Sequence, residues 1–240
     1  MQLKPSFKRN NLPQHYLVFL SFIETYNIKI IVASFTLLLV DLGVLYLITV
    51  PLPLAFYYVL LVPVVGMNLW MLRILFKNPY TVQYESIWFV GLISLLGVII
   101  YLCLLQFTAF FHLNISSPVY FIVSNIIYIS SIFVFMFYQI NKYADPTKKK
   151  KSHYIYYSSW LTTGPGIGYI IGQSLTRQSE FLMWSVLFIC FVGFFLFLSH
   201  VAVKFIYKAL FMKANWHLVV FQKPLKRDRK KFREKGLVLK

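Results

Sequence analysis

Between Ile30 and Val50 the chain carries a single charge, Asp41, and apolar side chains fill most of the rest. A stretch of about 20 such residues is long enough to cross the hydrocarbon core of a bilayer as a helix. The condition recurs along the chain. Six spans are expected, at 29–50, 54–76, about 86–111, 118–140, about 154–175 and about 181–203. The fifth, YIYYSSWLTTGPGIGYIIGQSL, is the least apolar of them. The expected fold class is an all-α integral membrane protein, a six-span helix bundle built of three hairpins.

Composition excludes the soluble alternative. Hydrophobic residues make up 59% of the 240 and charged ones only 13%, where a soluble domain has about a quarter charged. A water-soluble fold of this size has too much surface to hide that much apolar area. The first long apolar run follows a polar and amphipathic stretch and exceeds a cleavable signal core in length, so no cleaved leader is expected.

Charge placement tests the span count independently. Lys and Arg number 24 against seven Asp and Glu, and basic residues stay on the cytoplasmic side because translocating them is disfavoured. Lys4, Lys8, Arg9 and Lys29 precede or open the first span, and Arg73 and Lys77 lie at the link between the second and third. Lys142 and Lys148 to Lys151 fill the link between the fourth and fifth, and twelve more run from Lys204 to Lys240. Six spans with both termini cytoplasmic put all of these on one face and leave only Arg177 outside. Dropping the fifth span would send the twelve C-terminal charges to the wrong side. The aromatic residues fit the same frame. Tyr57, Tyr58, Tyr120 and Trp184 fall near the outer boundary, and Trp70, Trp88, Tyr138, Tyr154 and Trp216 near the inner one, where amphipathic rings prefer to sit.

Three regions follow: an N-terminal cytoplasmic or interfacial segment at 1–28, the transmembrane domain at 29–203, and a basic interfacial helix with a tail at 204–240. In 12–26, Leu12, Tyr16, Phe19, Leu20, Ile23 and Tyr26 recur at helical spacing. In 204–221, lysines alternate with Phe205, Leu210, Phe211, Trp216 and Val220. Both segments are expected to lie in the headgroup plane with the apolar face down.

Asp41 is the one acidic residue deep inside a span, and a carboxylate there costs about 2.5–3.5 kcal/mol on insertion scales. It must face protein or water. Asn125 in the fourth span lies at a similar expected depth, so Asp41 and Asn125 form a candidate intramembrane polar site. The chemical reading is a proton or cation site, and the structural reading is a hydrogen-bonded carboxyl pinning helices together. The second is favoured, because no other ionisable residue accompanies Asp41 at that depth.

In the fifth span Gly164, Gly168 and Gly172 recur at every fourth residue, and Pro165 and Gly166 interrupt the middle. Small residues at that spacing let helices approach closely in lipid, and Pro165 removes a backbone donor. This is the expected packing seam and kink. Lys148, Lys149, Lys150 and Lys151, with Lys226, Arg227, Arg229, Lys230 and Lys231 in the tail, are the expected contacts to anionic lipid or to an acidic partner.

Cys103 and Cys190 lie in apolar runs without metal-ligand spacing, and the five histidines are dispersed. No catalytic, nucleotide or metal motif is present, so no catalytic centre, cofactor or metal is expected, and no nucleic-acid partner. Asn114 opens an Asn-Ile-Ser sequon on the expected outer side, of consequence only in a glycosylating pathway. The Lys-over-Arg bias with abundant Ile, Phe, Tyr and Asn points to an AT-rich bacterial genome. In size and topology alone, the chain is similar in outline to membrane-embedded immunity proteins, which protect a producer from its own membrane-damaging toxin, and to permease subunits of small ABC exporters. The leading expectation is a non-catalytic plasma-membrane protein that binds a membrane-protein partner or toxin, with self-association left open. The alternative is a small transporter or permease subunit using Asp41.

Overall fold

The computed structural model describes residues 3, 9–48, 54–144 and 179–224. Among these the regular structure is helical: α1 (Gln14–Phe19), α2 (Ile28–Ile48), α3 (Leu54–Phe76), α4 (Gln83–His112), α5 (Pro118–Lys142) and α6 (Glu180–Ala214). Five of them, α2 to α6, are long and apolar enough to cross a membrane. Each coincides with an expected span to within a few residues at most ends. The fifth expected span lies outside the described residues.

The helices begin and end for local reasons. Pro118 opens α5 in the first turn, where the missing N–H costs no hydrogen bond. α4 closes through Leu113 N–H to Thr108 C=O (3.0 Å) and Ile115 N–H to Ala109 C=O (2.9 Å). Asn114 between them sits at φ 54°, a left-handed backbone that asparagine tolerates better than most residues. In the link after α3, Asn78 accepts from the Tyr80 N–H through its side chain at 3.0 Å, which turns the chain into α4.

Close contacts fix the directions of the helices. Gly97 of α4 faces Val40 of α2 and Leu198 of α6, and Gly43 of α2 faces Ile100 and Tyr101 of α4. Advancing along α2 thus advances along α4, whereas Gly91 meets Phe205 and Ile206, so α6 runs antiparallel to α4. Tyr128 meets Phe195 at 5.0 Å and Phe135 meets His200 at 5.3 Å. α5 and α6 are therefore parallel neighbours.

α4 is the central helix. In its apolar window 67% of residues are buried, against 11% in α5 and 17% in α6. Its close approach to α6 depends on missing side chains. A Cβ on Gly91 would lie 3.1 Å from the Ile206 backbone nitrogen, and one on Gly97 would lie 2.8 Å from Leu198 Cδ1. Ser94 between them is fully buried, with its hydroxyl turned back to the Val90 carbonyl at 2.7 Å. Close backbone approach is how helices gain packing energy where lipid is as apolar as their side chains. Around this core, α3 and α5 present apolar side chains outward, among them Val59, Val62 and Leu69, and Ile122, Ile126 and Val134.

The two flanking segments pack against each other. The segment 12–26 forms only the short α1, and its apolar face meets protein. Leu12, Tyr16, Phe19 and Leu20 are buried against Tyr143, Tyr207, Phe211 and Met212, while Tyr26 is exposed. The segment from 204 does not turn into a separate interfacial helix. α6 runs unbroken through it to Ala214, about 52 Å at 1.5 Å per residue. That exceeds the roughly 30 Å of a bilayer core. Part of the apolar surface of the two segments is buried where they meet, while Tyr26, Leu210, Trp216 and Val220 stay exposed.

Candidate functional site

Asp41 ends an eight-residue π-helical stretch, Ser34–Asp41, within α2. A wider helical turn leaves backbone groups less regularly paired, and such bulges recur at functional positions. The Asp41 carboxylate accepts a hydrogen bond from the Asn68 side-chain amide of α3 at 3.0 Å. The same amide nitrogen donates to the Val64 carbonyl at 3.1 Å. Both side chains are half-buried. The contact joins α2 to α3 across one hairpin.

The structure does not bring Asn125 to Asp41. Its amide donates to the Phe121 carbonyl of its own helix at 2.7 Å. Beside it, Gln106 of α4 donates to Ser124 at 3.1 Å. Because α5 matches α6 as Phe135 to His200, and Leu198 is level with Gly97 and Val40, Asn125 lies about 10 Å nearer the His112 end than Asp41 does. Asn68, not Asn125, is the partner of Asp41. Its signal was available: an amide midway along an otherwise apolar span, on the helix joined to the first by the shortest link.

A second polar group ties the end of α3 to the start of α4. Glu85, in the first turn of α4, accepts from the Trp70 indole N–H at 2.8 Å and pairs with Arg73 at 3.4 Å. Glu85 also lies where a helix N-terminus favours negative charge. Close by, Gln83 and Gln222 exchange two hydrogen bonds, from Gln83 Nε2 to the Gln222 carbonyl at 2.8 Å and from the Gln222 N–H to Gln83 Oε1 at 2.9 Å. Gln222 further accepts from the Thr25 N–H at 3.1 Å. Buried Asn215 accepts from the Leu3 N–H at 2.8 Å, and Arg9 donates to the Leu218 carbonyl at 2.7 Å. These contacts gather the N-terminal segment, the α3–α4 link and the end of α6 at one end of the bundle.

The glycine seam Gly164, Gly168 and Gly172, the kink at Pro165 and Gly166, the run Lys148 to Lys151 and the tail cations Lys226, Arg227, Arg229, Lys230 and Lys231 lie outside the described residues. The seam observed among the described residues is Gly91, Ser94 and Gly97, spaced three apart. Asp41 and Asn68 together offer an ionisable carboxyl held by a neutral amide, able to hold a proton or to tie the two helices. The chain matches no protein-family profile, no curated protein and no solved structure.

Proposed function

We propose that this is a multi-pass protein of the plasma membrane, non-catalytic, acting by binding another protein in or at the bilayer. An immunity role against a membrane-damaging toxin, or that of an accessory subunit of a membrane complex, is its concrete form. The Asp41–Asn68 hydrogen bond carries the reading. A carboxylate clamped by a neutral amide between two helices of one hairpin is a structural tie, and the surrounding surface is apolar. Cells expressing this protein alone should resist depolarisation by a toxin encoded beside it, as read with a potential-sensitive dye. Full sensitivity to every such toxin would exclude the immunity form.

The six-span, both-ends-cytoplasmic topology is part of this proposal. Tyr143 packs on Phe19 and Tyr207, at the end where the N-terminal segment sits. Trp184, near the start of α6, stacks on His112 at the other end. Two neighbouring helices that run parallel fit a chain that crosses back between them.

One observation favours a second reading, a small transporter or permease subunit. Asp41 terminates a π-helical stretch, a place where a helix can yield. In proteoliposomes Asp41→Asn should then abolish proton or solute flux at unchanged expression; equal flux would exclude it.

A further inference from the structure

His200, Lys204 and Lys208 follow one another at four-residue intervals on α6, and so share one face of the helix. Lys142, the last residue of α5, joins them because α5 packs beside α6 and Phe135 touches His200. The four form one electrostatic group. His200 feels the charges of Lys204 and Lys142, Lys204 that of Lys142, and Lys208 that of Lys204.

Their surroundings are aromatic. The Lys142 ammonium lies 5.5 Å from the Tyr138 ring and 5.7 Å from that of Tyr143, and the Lys208 ammonium lies 6.0 Å from Phe19. Phe19 and Tyr143 are stacked at 3.8 Å. Lys208 is 9% exposed. The four described carboxylates lie elsewhere: Glu85 pairs with Arg73, Glu24 with Asn27 and Asp41 with Asn68, while Glu180 opens α6 at its other end. Like charges held this close repel, and a lysine held so far from water is costly without a counter-charge. Ring faces relieve only part of that. An anion would relieve the rest.

The level of the group selects the anion. It begins about 20 residues into α6, where a span of roughly 30 Å ends, and it flanks the apolar outer face of α5. A ligand with an apolar body in the bilayer and a negative head at this depth fits both. We propose that Lys142, His200, Lys204 and Lys208 form a binding site for the phosphate of an anionic lipid headgroup at the inner boundary of the α5–α6 seam. The proposal rests on the membrane reading above and adds a specific lipid to it.

Native mass spectrometry of the full chain released from vesicles of equal phosphatidylglycerol and phosphatidylcholine tests it. The expected result is about tenfold or greater retention of phosphatidylglycerol, lost in Lys142→Gln/Lys204→Gln and kept in Lys142→Arg/Lys204→Arg and in Lys77→Gln. Equal retention of the two lipids by the native protein would overturn the site. So would a loss of preference in Lys77→Gln as large as in the double variant, since the attraction would then be diffuse. In phosphatidylcholine nanodiscs inorganic phosphate should leave the melting temperature unmoved; stabilisation matching that by phosphatidylglycerol would overturn the lipid as its source. A chain that inserts into vesicles yet shows no lipid preference refutes the site alone, whereas a chain that fails to insert refutes the membrane reading.

Discussion

Asn68 on α3 holds Asp41 on α2 through one side-chain amide hydrogen bond of 3.0 Å. If that bond serves as a tie, Asn68→Leu leaves a half-buried carboxylate without its donor. The expected cost is about 1–3 kcal/mol, read as a lower melting temperature in detergent. Asp41→Asn keeps an acceptor facing Asn68 and should melt within about 0.5 kcal/mol of the native protein. A large loss in Asp41→Asn with none in Asn68→Leu would show that the charge, not the tie, matters.

The two seam glycines should differ. A Cβ at Gly91 meets the Ile206 backbone, which cannot rotate away, whereas one at Gly97 meets the far end of the Leu198 side chain. Gly91→Val should therefore destabilise by about 1–3 kcal/mol, and Gly97→Ala by less. Gly66 has open space where its Cβ would lie, so Gly66→Ala should be neutral or slightly stabilising. Thermal unfolding in one detergent ranks all three.

Asn215 is fully buried and accepts from the Leu3 N–H while donating to the Phe211 carbonyl at 2.9 Å. Asn215→Ala should release the first residues from α6 at a cost of about 1–3 kcal/mol. Limited proteolysis would detect it as faster cleavage near Arg9. Unchanged cleavage would mean that the aromatic contacts of Tyr16 and Phe19 suffice to hold the segment.

Topology can be checked with Cys103 and Cys190 replaced by serine. Ser116→Cys, in the exposed link after α4, should react with a membrane-impermeant maleimide on intact cells. Lys77→Cys, exposed at the opposite end, should react only after lysis. Labelling of both from outside would remove the proposed orientation.

Five of the six expected spans are legible in the sequence because length and apolarity alone decide whether a helix can cross lipid. Their arrangement is not. In water an apolar stripe shows which face is buried, but α4 is apolar all round and so is the lipid, so its central place is marked only by Gly91, Ser94 and Gly97. Depth could be estimated for Asp41 from its position along the span, yet depth does not say which helix stands beside it. Hence Asn125 was the expected partner where Asn68 is the observed one. Residues 12–26 and 204–221 each carry an amphipathic pattern that fits a lipid surface. An apolar face is equally content against another apolar face, and Phe19 with Phe211 is where the two meet.

The bond from Leu3 to Asn215 spans 212 positions of sequence. During synthesis Tyr16 and Phe19 emerge long before Tyr207 and Phe211, the α6 residues they pack with. At about 5–20 residues per second, translation leaves Tyr16 and Phe19 without their seat for roughly ten to forty seconds. The contact between the two segments therefore forms only after residue 211 has been made. A chain cut short before residue 204 would lack the Tyr207 and Phe211 rings of that cluster and keep only Tyr143 against Phe19.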